Sequence, residues 1–147
     1  MKNLLFIISI SLLVVTVMFS CKKKKIPPTK TELLTSASWK IEKVVAGITD
    51  VTNYIPACSR DNLITFVSNG TGSTSEGATP CTPPVTTTFT WRFQNNESEL
   101  NLSTSLIPGG SGTFTIITLN ETEMVLSQQV TIPSLPLPVA AVITFKH

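Results

Sequence analysis

Hydrophobic and polar residues alternate along most of the chain beyond residue 38. The longest such run is Val85–Gln94, in which Phe89, Trp91 and Phe93 share one face and threonines and Arg92 occupy the other. A period of two is typical of a β-strand with one buried face, because successive side chains of a strand point to opposite sides. This run therefore predicts a strand whose aromatic side chains point inward.

Six further segments predict strands for the same reason: Trp39–Ile48, Leu63–Ser68, Glu99–Ser103, Thr113–Leu119, Glu123–Gln128 and Val139–Lys146. In the first of them, Trp39, Ile41 and Val45 are expected on one face. Turn residues such as Asn69-Gly70 and Asn95-Asn96 separate the segments. Seven or eight strands joined by turns every 8 to 12 residues or so predict an all-β domain, either an antiparallel up-and-down barrel or a β-sandwich.

The remaining segments are short or polar. Ser68–Pro84 is rich in Gly, Ser, Thr and Pro and predicts a long loop. Thr31–Leu34 predicts one helical turn near the N-terminus, capped by Thr29 or Thr31.

The first 20 residues have the pattern of a secretory signal. Lys2 precedes the apolar run Leu4–Phe19, which ends at Ser20-Cys21. Met18-Phe19-Ser20-Cys21 resembles a bacterial lipobox, and this resemblance implies that the Cys21 thiol carries diacylglycerol and that the mature chain is acylated, for example with palmitate. A transmembrane anchor is the alternative, but 16 residues are fewer than the 20 or so that span a bilayer.

The organisation that follows has three parts: a signal peptide over residues 1–20, a lipidated Lys-rich tether over 21–30, and a β domain over 31–147. Such a chain is expected at the outer membrane of a cell envelope, facing the periplasm or the cell surface, with the membrane as its partner. Lys22–Lys25 would lie beside the lipid, where each lysine adds about 1 kcal/mol of attraction to anionic headgroups.

Charge argues against nucleic acid as a partner. From Ile26 onward nine acidic residues outnumber six basic ones, which leaves a net charge of −3. The six are Lys30, Lys40, Lys43, Arg60, Arg92 and Lys146. No basic patch is therefore expected on the folded domain.

Several short motifs resemble the lipocalin-like domains of bacterial outer-envelope lipoproteins. They are Leu33-Leu34 before Ser38-Trp39, Cys58–Asn62 leading into Ile64-Thr65-Phe66, Asn69-Gly70, Cys81, Phe89-Thr90-Trp91, and Phe114-Thr115-Ile116 running to Met124-Val125-Leu126. The resemblance covers most of Thr31–His147. It implies a non-catalytic barrel that binds a small apolar ligand; a structural or protein-interaction module with a filled interior is the alternative. A ligand cavity of at least about 300 Å³ with convergent polar groups would distinguish the two.

Two cysteines remain once Cys21 is assigned to the lipid. In an exported chain Cys58 and Cys81 predict one structural disulfide, worth about 3 kcal/mol on the chain-entropy model. A redox-active pair is the alternative, but the 22 intervening residues do not resemble a Cys-x-x-Cys site.

Few residues offer catalytic chemistry. His147 is the single histidine, Gly-x-Ser-x-Gly does not occur, and the carboxylates are not at metal-ligand spacing. We therefore expect no enzymatic activity, no metal and no cofactor.

The candidate ligand-binding residues are Phe89, Trp91 and Phe93, together with Leu135 and Leu137 of the Pro-rich segment Ile132–Pro138. For the three aromatic residues, ordinary core packing is the alternative. For the Pro-rich segment, we expect its aliphatic side chains to pack over one end of the barrel, as a lid, as a plug or as a partner surface.

Overall fold

The computed structural model describes residues 26–107, 110–131 and 137–147. The helices are α1 (Lys30–Leu34) and α2 (Ala57–Arg60), with a 3₁₀ turn at Thr52–Tyr54. The strands are β1 (Lys40–Ala46), β2 (Thr49–Asp50), β3 (Leu63–Val67), β4 (Thr71–Ser75), β5 (Thr87–Gln94), β6 (Glu99–Leu102), β7 (Thr113–Leu119), β8 (Glu123–Val130) and β9 (Val139–Lys146). In the part of the chain so described, no helix has the length and hydrophobicity needed to cross a bilayer. Cys21 and Leu135 lie outside the described residues.

The strands form one antiparallel sheet in the order β2-β1-β9-β8-β7-β6-β5-β4-β3. From β3 to β9 each strand pairs with the next along the chain, and β1 then pairs with β9. This confirms the predicted all-β, antiparallel up-and-down architecture. The sheet is not closed by a continuous ladder; a single antiparallel bridge between Trp39 and Ile64 links its two sides.

The two ends of this curved sheet differ in their connections. At one end, the turn end, short turns join β3 to β4, β5 to β6 and β7 to β8. At the other, the loop end, lie the longer connections after β2, β4, β6 and β8. At the turn end Asn95, Asn96 and Glu97 all have positive φ, between 50° and 60°, which suits the tight reversal predicted at Asn95-Asn96.

Helix α1 packs at the turn end. Thr29 and Glu32 form a capping box, in which the Thr29 hydroxyl accepts from the Glu32 N–H and the Glu32 carboxylate accepts from the Thr29 N–H. Leu34 at the end of the helix is fully buried, and its carbonyl accepts a 2.9 Å hydrogen bond from the Trp39 indole. The predicted helical turn is thus confirmed, and it closes the interior at this end.

One hydrophobic core occupies the inner face of the sheet. On β9 the residues Ala141, Ile143 and Phe145 are buried at every second position, as the alternation predicts. The largest fully buried side chains are Trp39, Phe114, Phe145, Leu34, Leu100, Met124, Leu126 and Ile143. Seven of the nine strands contribute buried residues to this core, namely β1, β3, β5, β6, β7, β8 and β9.

The prediction of a loop over the whole of Ser68–Pro84 is wrong in its first part. Thr71–Ser75 is strand β4, paired in register with β3 from Val67↔Thr71 to Leu63↔Ser75. No apolar side chain marks this strand because its buried position is Gly72, whose missing side chain leaves room for the Phe89 ring. Together with β2, this strand raises the total to nine.

The prediction that Val45 shares a face with Trp39 and Ile41 is also wrong. The pairing of β1 with β9 shifts by one residue between Ile41 and Lys43. Such a bulge reverses the faces of the residues that follow it. Val44 is consequently buried at 3% exposure, whereas Val45 is only half-buried.

Candidate functional site

A cavity of about 450 Å³ lies toward the loop end of the sheet. Its lining is Ile41, Ile55, Pro56, Ser59, Asn62, Ile64, Thr74, Val85, Thr87, Thr104, Ser105, Leu106 and Ile107. Seven of these residues are apolar, six carry a hydroxyl or amide group, and none carries a charge. The cavity thus has the composition typical of a site for a small neutral ligand.

One wall of the cavity is the segment that follows β2. The Val51 N–H donates to the carbonyl of Val44 at 2.9 Å, and the Thr52 hydroxyl accepts from the Val44 N–H at 2.9 Å. These bonds satisfy the free edge of β1, where a further strand would otherwise pair. The chain then continues through the 3₁₀ turn and α2, which places residues 55–62 against the interior.

Asn62 ends this wall and is the most buried polar residue of the described chain, at 4% exposure. Its Oδ1 accepts from the Gly77 N–H at 3.3 Å. As a lining residue, Asn62 can present its amide to a hydrogen-bond acceptor on a ligand in the cavity.

The adjoining wall is the β4–β5 connection, which is bonded to the first wall. The carboxylate of Glu76 accepts from the backbone N–H groups of Cys81 and Val85. The Asp61 carboxylate accepts from the Thr79 N–H at 2.8 Å. Asp61 thus bonds a backbone N–H group of a loop 18 residues away, rather than one in its own turn.

A disulfide joins the same two walls. Cys58 in α2 is bonded to Cys81 in the β4–β5 connection, with a Cα–Cα distance of 5.2 Å. The predicted pairing is therefore confirmed in the structure. Because Cys58 lies between the lining residues Pro56 and Ser59, the bond holds the cavity wall in place.

Comparison with known protein families identifies the family of this chain. The family model described as a lipocalin-like domain matches residues 36–126. The chain belongs to this lipocalin-like family. No curated protein matches the sequence.

In this lipocalin-like domain the three aromatic residues predicted to bind a ligand are not part of the cavity lining. Phe89 and Trp91 are buried in the core, where both rings meet Phe66 edge to face, with centroid distances of 5.5 and 5.9 Å. The Trp91 indole N–H donates to the carbonyls of Val67 and Thr71 at 3.0 and 2.9 Å. Phe93 is half-buried and packs on Trp91. The contacts shown are core contacts, and direct ligand binding by these residues stays a prediction.

Leu137 does not pack as predicted. Its side chain is 72% exposed and does not line the cavity. The ladder between β8 and β9 ends at Val130↔Val139, so Leu137 lies beyond the last strand pair and outside the enclosed interior. Leu135, its proposed neighbour in the lid, lies outside the described residues.

Sequence reasoning missed most of the residues that line the cavity. Ile55, Leu106 and Ile107 lie in connections, where no periodicity reveals which side chains turn inward. Asn62 stands before a strand, a position in which an exposed turn asparagine is equally compatible with the sequence. The one available signal was that Asn62 directly follows the segment containing Cys58.

Ionisable groups with shifted pKa values lie away from the cavity. The Thr52 hydroxyl and N–H, and to a smaller extent Lys43, hold the pKa of Asp50 below its ordinary value. Hydrogen bonds from the Thr29 N–H and hydroxyl lower the pKa of Glu32. Across residues 26–107, 110–131 and 137–147, no group of three or more metal-ligating side chains comes together.

Proposed function

We propose that this lipocalin-like domain binds a small, uncharged and largely apolar ligand in the loop-end cavity, with a ligand acceptor group at Asn62. The observation that supports the proposal most directly is the uncharged lining, in which Asn62 is the one deeply buried polar residue. A volume of about 450 Å³ is within the range of small-molecule sites.

The lining also argues against a charged ligand. A carboxylate or ammonium group would lose its hydration on entering, and no opposite charge in the lining would compensate. An apolar ligand instead gains about 25 cal/mol for each Å² of apolar surface removed from water. The hydroxyls of Thr74, Thr87 and Thr104 can then bond a second polar group.

The proposal places the domain outside the cytoplasm, tethered through lipid on Cys21 at the outer membrane, without catalysis, metal or cofactor. The signal-like N-terminus and the Cys58–Cys81 disulfide support this location, because disulfides persist in oxidising compartments. In this arrangement α1 lies at the turn end, whereas the cavity lies toward the loop end.

Occupancy of the cavity can be tested with the neutral probe N-phenyl-1-naphthylamine, whose fluorescence rises in apolar surroundings. Thr87→Trp should fill the mouth of the cavity and weaken probe binding at least tenfold. Thr88→Trp is the matched control, since Thr88 is exposed on the same strand and does not line the cavity. If the wild-type protein takes up no probe, the filled-barrel interaction module is the better description.

The role of Asn62 can be tested with two ligands of nearly equal size, 2-acetylnaphthalene and 2-ethylnaphthalene. Only the first has a carbonyl acceptor, so the wild-type protein should bind it about tenfold more tightly, as one net hydrogen bond of about 1 to 1.5 kcal/mol predicts. Asn62→Leu should abolish this preference. Because the preference is a ratio measured on one protein, partial destabilisation of the variant does not obscure it.

Lipid attachment has its own test. Cys21→Ser should abolish metabolic labelling with a fatty acid and release or stall the protein. A Cys21→Ser variant that remains in the membrane fraction with Met1 intact would identify the segment as a transmembrane anchor instead. Native mass spectrometry of the wild-type protein from its own cells should reveal any ligand that copurifies.

A further inference from the structure

A second depression, of about 380 Å³, lies where the start of β1 and the end of β9 meet α2. It is lined by Lys40, Ile41, Glu42, Ala57, Arg60, Asp61, Lys146 and His147. The lining comes from β1, β9 and α2, and it shares only Ile41 with the loop-end cavity. We refer to it as the basic depression.

Positive charge is concentrated here. Three of the six basic residues from Ile26 onward line the basic depression, in a domain whose net charge is −3. Lys40 and Lys146 are directly opposite each other in the β1–β9 register. Like charges at such a position repel and destabilise the strand pair.

The cations that line the depression form no ion pair within the described residues, although Glu123 is opposite Lys146 in the β8–β9 register. In the described part of the chain the one ion pair is Lys43–Asp50, so Lys40, Lys146 and Arg60 have no carboxylate within 4.0 Å. The Nε of Arg60 and the Oδ1 of Asp61 are both buried and lack a hydrogen-bond partner among the described residues. Asp61 directs one carboxylate oxygen to the Thr79 N–H, outside the depression.

His147 completes the depression. Its Nδ1 lies 3.1 Å from the carbonyl oxygen of Ser38, and since a carbonyl can only accept, Nδ1 is the donor. The imidazole also packs on the Trp39 ring, with a centroid distance of 3.9 Å. The second ring nitrogen, Nε2, is therefore left for another partner.

We propose that the basic depression binds a singly charged phosphodiester, through Lys40, Lys146 and Arg60. Among the side chains that line the depression, three cations outnumber the carboxylates of Glu42 and Asp61 by one, so a monoanion suits it better than a dianion. The Arg60 guanidinium offers a planar set of N–H donors and the lysines offer point charges, both of which suit phosphate oxygens.

Two sources share this chemistry, a free phosphodiester and the headgroup of an anionic phospholipid. The position favours the headgroup. Lys146 is opposite Glu123, next to the β7–β8 turn, and Glu121 of that turn lies in a groove with Ile26–Thr29. The β9 side of the depression therefore lies near residues 26–29 of the tether.

NMR of the His147 imidazole provides the test, because His147 is the single histidine and its signals need no assignment. The full chain in a neutral detergent is titrated at fixed pH and low salt with dihexanoyl-phosphatidylglycerol, with glycerophosphoglycerol, and with uncharged dihexanoylglycerol. We expect saturable shifts with the two phosphodiesters and none with dihexanoylglycerol. Tighter binding of the phospholipid identifies the headgroup as the source, and equal binding identifies a free phosphodiester.

The variant Lys40→Gln/Lys146→Gln should raise the dissociation constant at least tenfold without lowering the unfolding midpoint, since it also removes the repulsion between the two lysines. Lys30→Gln/Lys43→Gln removes the same charge elsewhere on the domain and should change the constant less than twofold. The proposal would be overturned if both double variants lost phosphodiester affinity to the same extent. It would also be overturned if the His147 signals of the wild-type protein showed no saturable shift.

Discussion

Trp39 and Ile64 each donate a backbone hydrogen bond to the carbonyl of the other, at 2.8 and 2.9 Å. Through this one pair the residue preceding β1 meets β3, the last strand on the opposite side of the sheet. The indole N–H of Trp39 also bonds the Leu34 carbonyl. A single residue therefore links two sides of the sheet and the helix at the turn end.

Trp39→Phe should lower the free energy of unfolding by about 1 to 3 kcal/mol, because the buried Leu34 carbonyl loses its donor. Trp39→Ala should lower the free energy of unfolding by about 3 to 5 kcal/mol, because it leaves a large cavity in addition to removing the hydrogen bond. Guanidinium unfolding measures both. Tyr54→Ala is the control, because Tyr54 is 85% exposed and its truncation should change stability by less than about 0.5 kcal/mol. Equal effects at the two positions would contradict the linking role of Trp39.

Gly72→Ala should destabilise the domain by about 1 to 3 kcal/mol through overpacking. A Cβ at this position would collide with the Phe89 ring and lie 2.8 Å from the carbonyl oxygen of Thr65. Ser73→Ala, one residue further along β4 on the opposite face, should be nearly neutral in the same thermal unfolding experiment. Combining Gly72→Ala with Phe89→Leu should cost less than the sum of the two single changes, because the shorter side chain relieves the collision.

Removing the disulfide with Cys58→Ala/Cys81→Ala should cost about 2 to 5 kcal/mol of unfolding free energy. It should also weaken uptake of N-phenyl-1-naphthylamine, since the bond joins the two walls of the cavity. The uptake is compared well below the unfolding midpoint, where both proteins are folded. Free alkylation of both thiols in the folded, exported wild-type protein would contradict the pairing.

Asp50 should make a pH-dependent contribution to stability. Its folded-state pKa lies below the ordinary value of 3.8, so ionised Asp50 stabilises the fold above that value. This contribution is lost as the pH falls through the lowered pKa. The stability difference between wild type and Asp50→Asn should therefore be constant from pH 7 to about pH 5 and shrink below about pH 4.

Carboxyl NMR provides the matching site-specific measurement for Asp50. Thr52→Val should return its pKa toward the ordinary value more than Lys43→Gln does, because the Thr52 hydroxyl bond is the larger cause of the shift. The reverse order would show that the ion pair with Lys43 dominates.

The strand pattern was predictable where one face of a strand is uniformly apolar. Val139–Lys146 was predicted with its bounds and its inward face, since Ala141, Ile143 and Phe145 alternate with residues that do not enter the core. Strand β4 could not be predicted in the same way, because Gly72 contributes space and no side chain. The bulge in β1 left no signal either, since it depends on pairing with β9.

The lining of the cavity was less predictable from the sequence than the strands of the sheet. Cys58 and Cys81 could be paired by counting cysteines, and this indicates that the two connections meet. Which side chains of these connections turn inward depends on contacts between residues far apart in sequence, such as Asn62 and Gly77. Periodicity carries no information of this kind.

Large side chains of the sheet fill the core, whereas residues of the connections form most of the cavity lining. This separation affects which substitutions the protein can accept. Trp39, Phe114 and Phe145 hold the fold together and do not line the cavity, while Ile55, Thr104 and Leu106 line the cavity and are not among the fully buried side chains. Exchanging residues of the second kind removes less buried packing than exchanging residues of the first kind, although Ile55 and Leu106 do contact the core. Under the proposed function, the architecture allows new ligand specificities to arise mainly by substitution in the connections, on the same scaffold of strands.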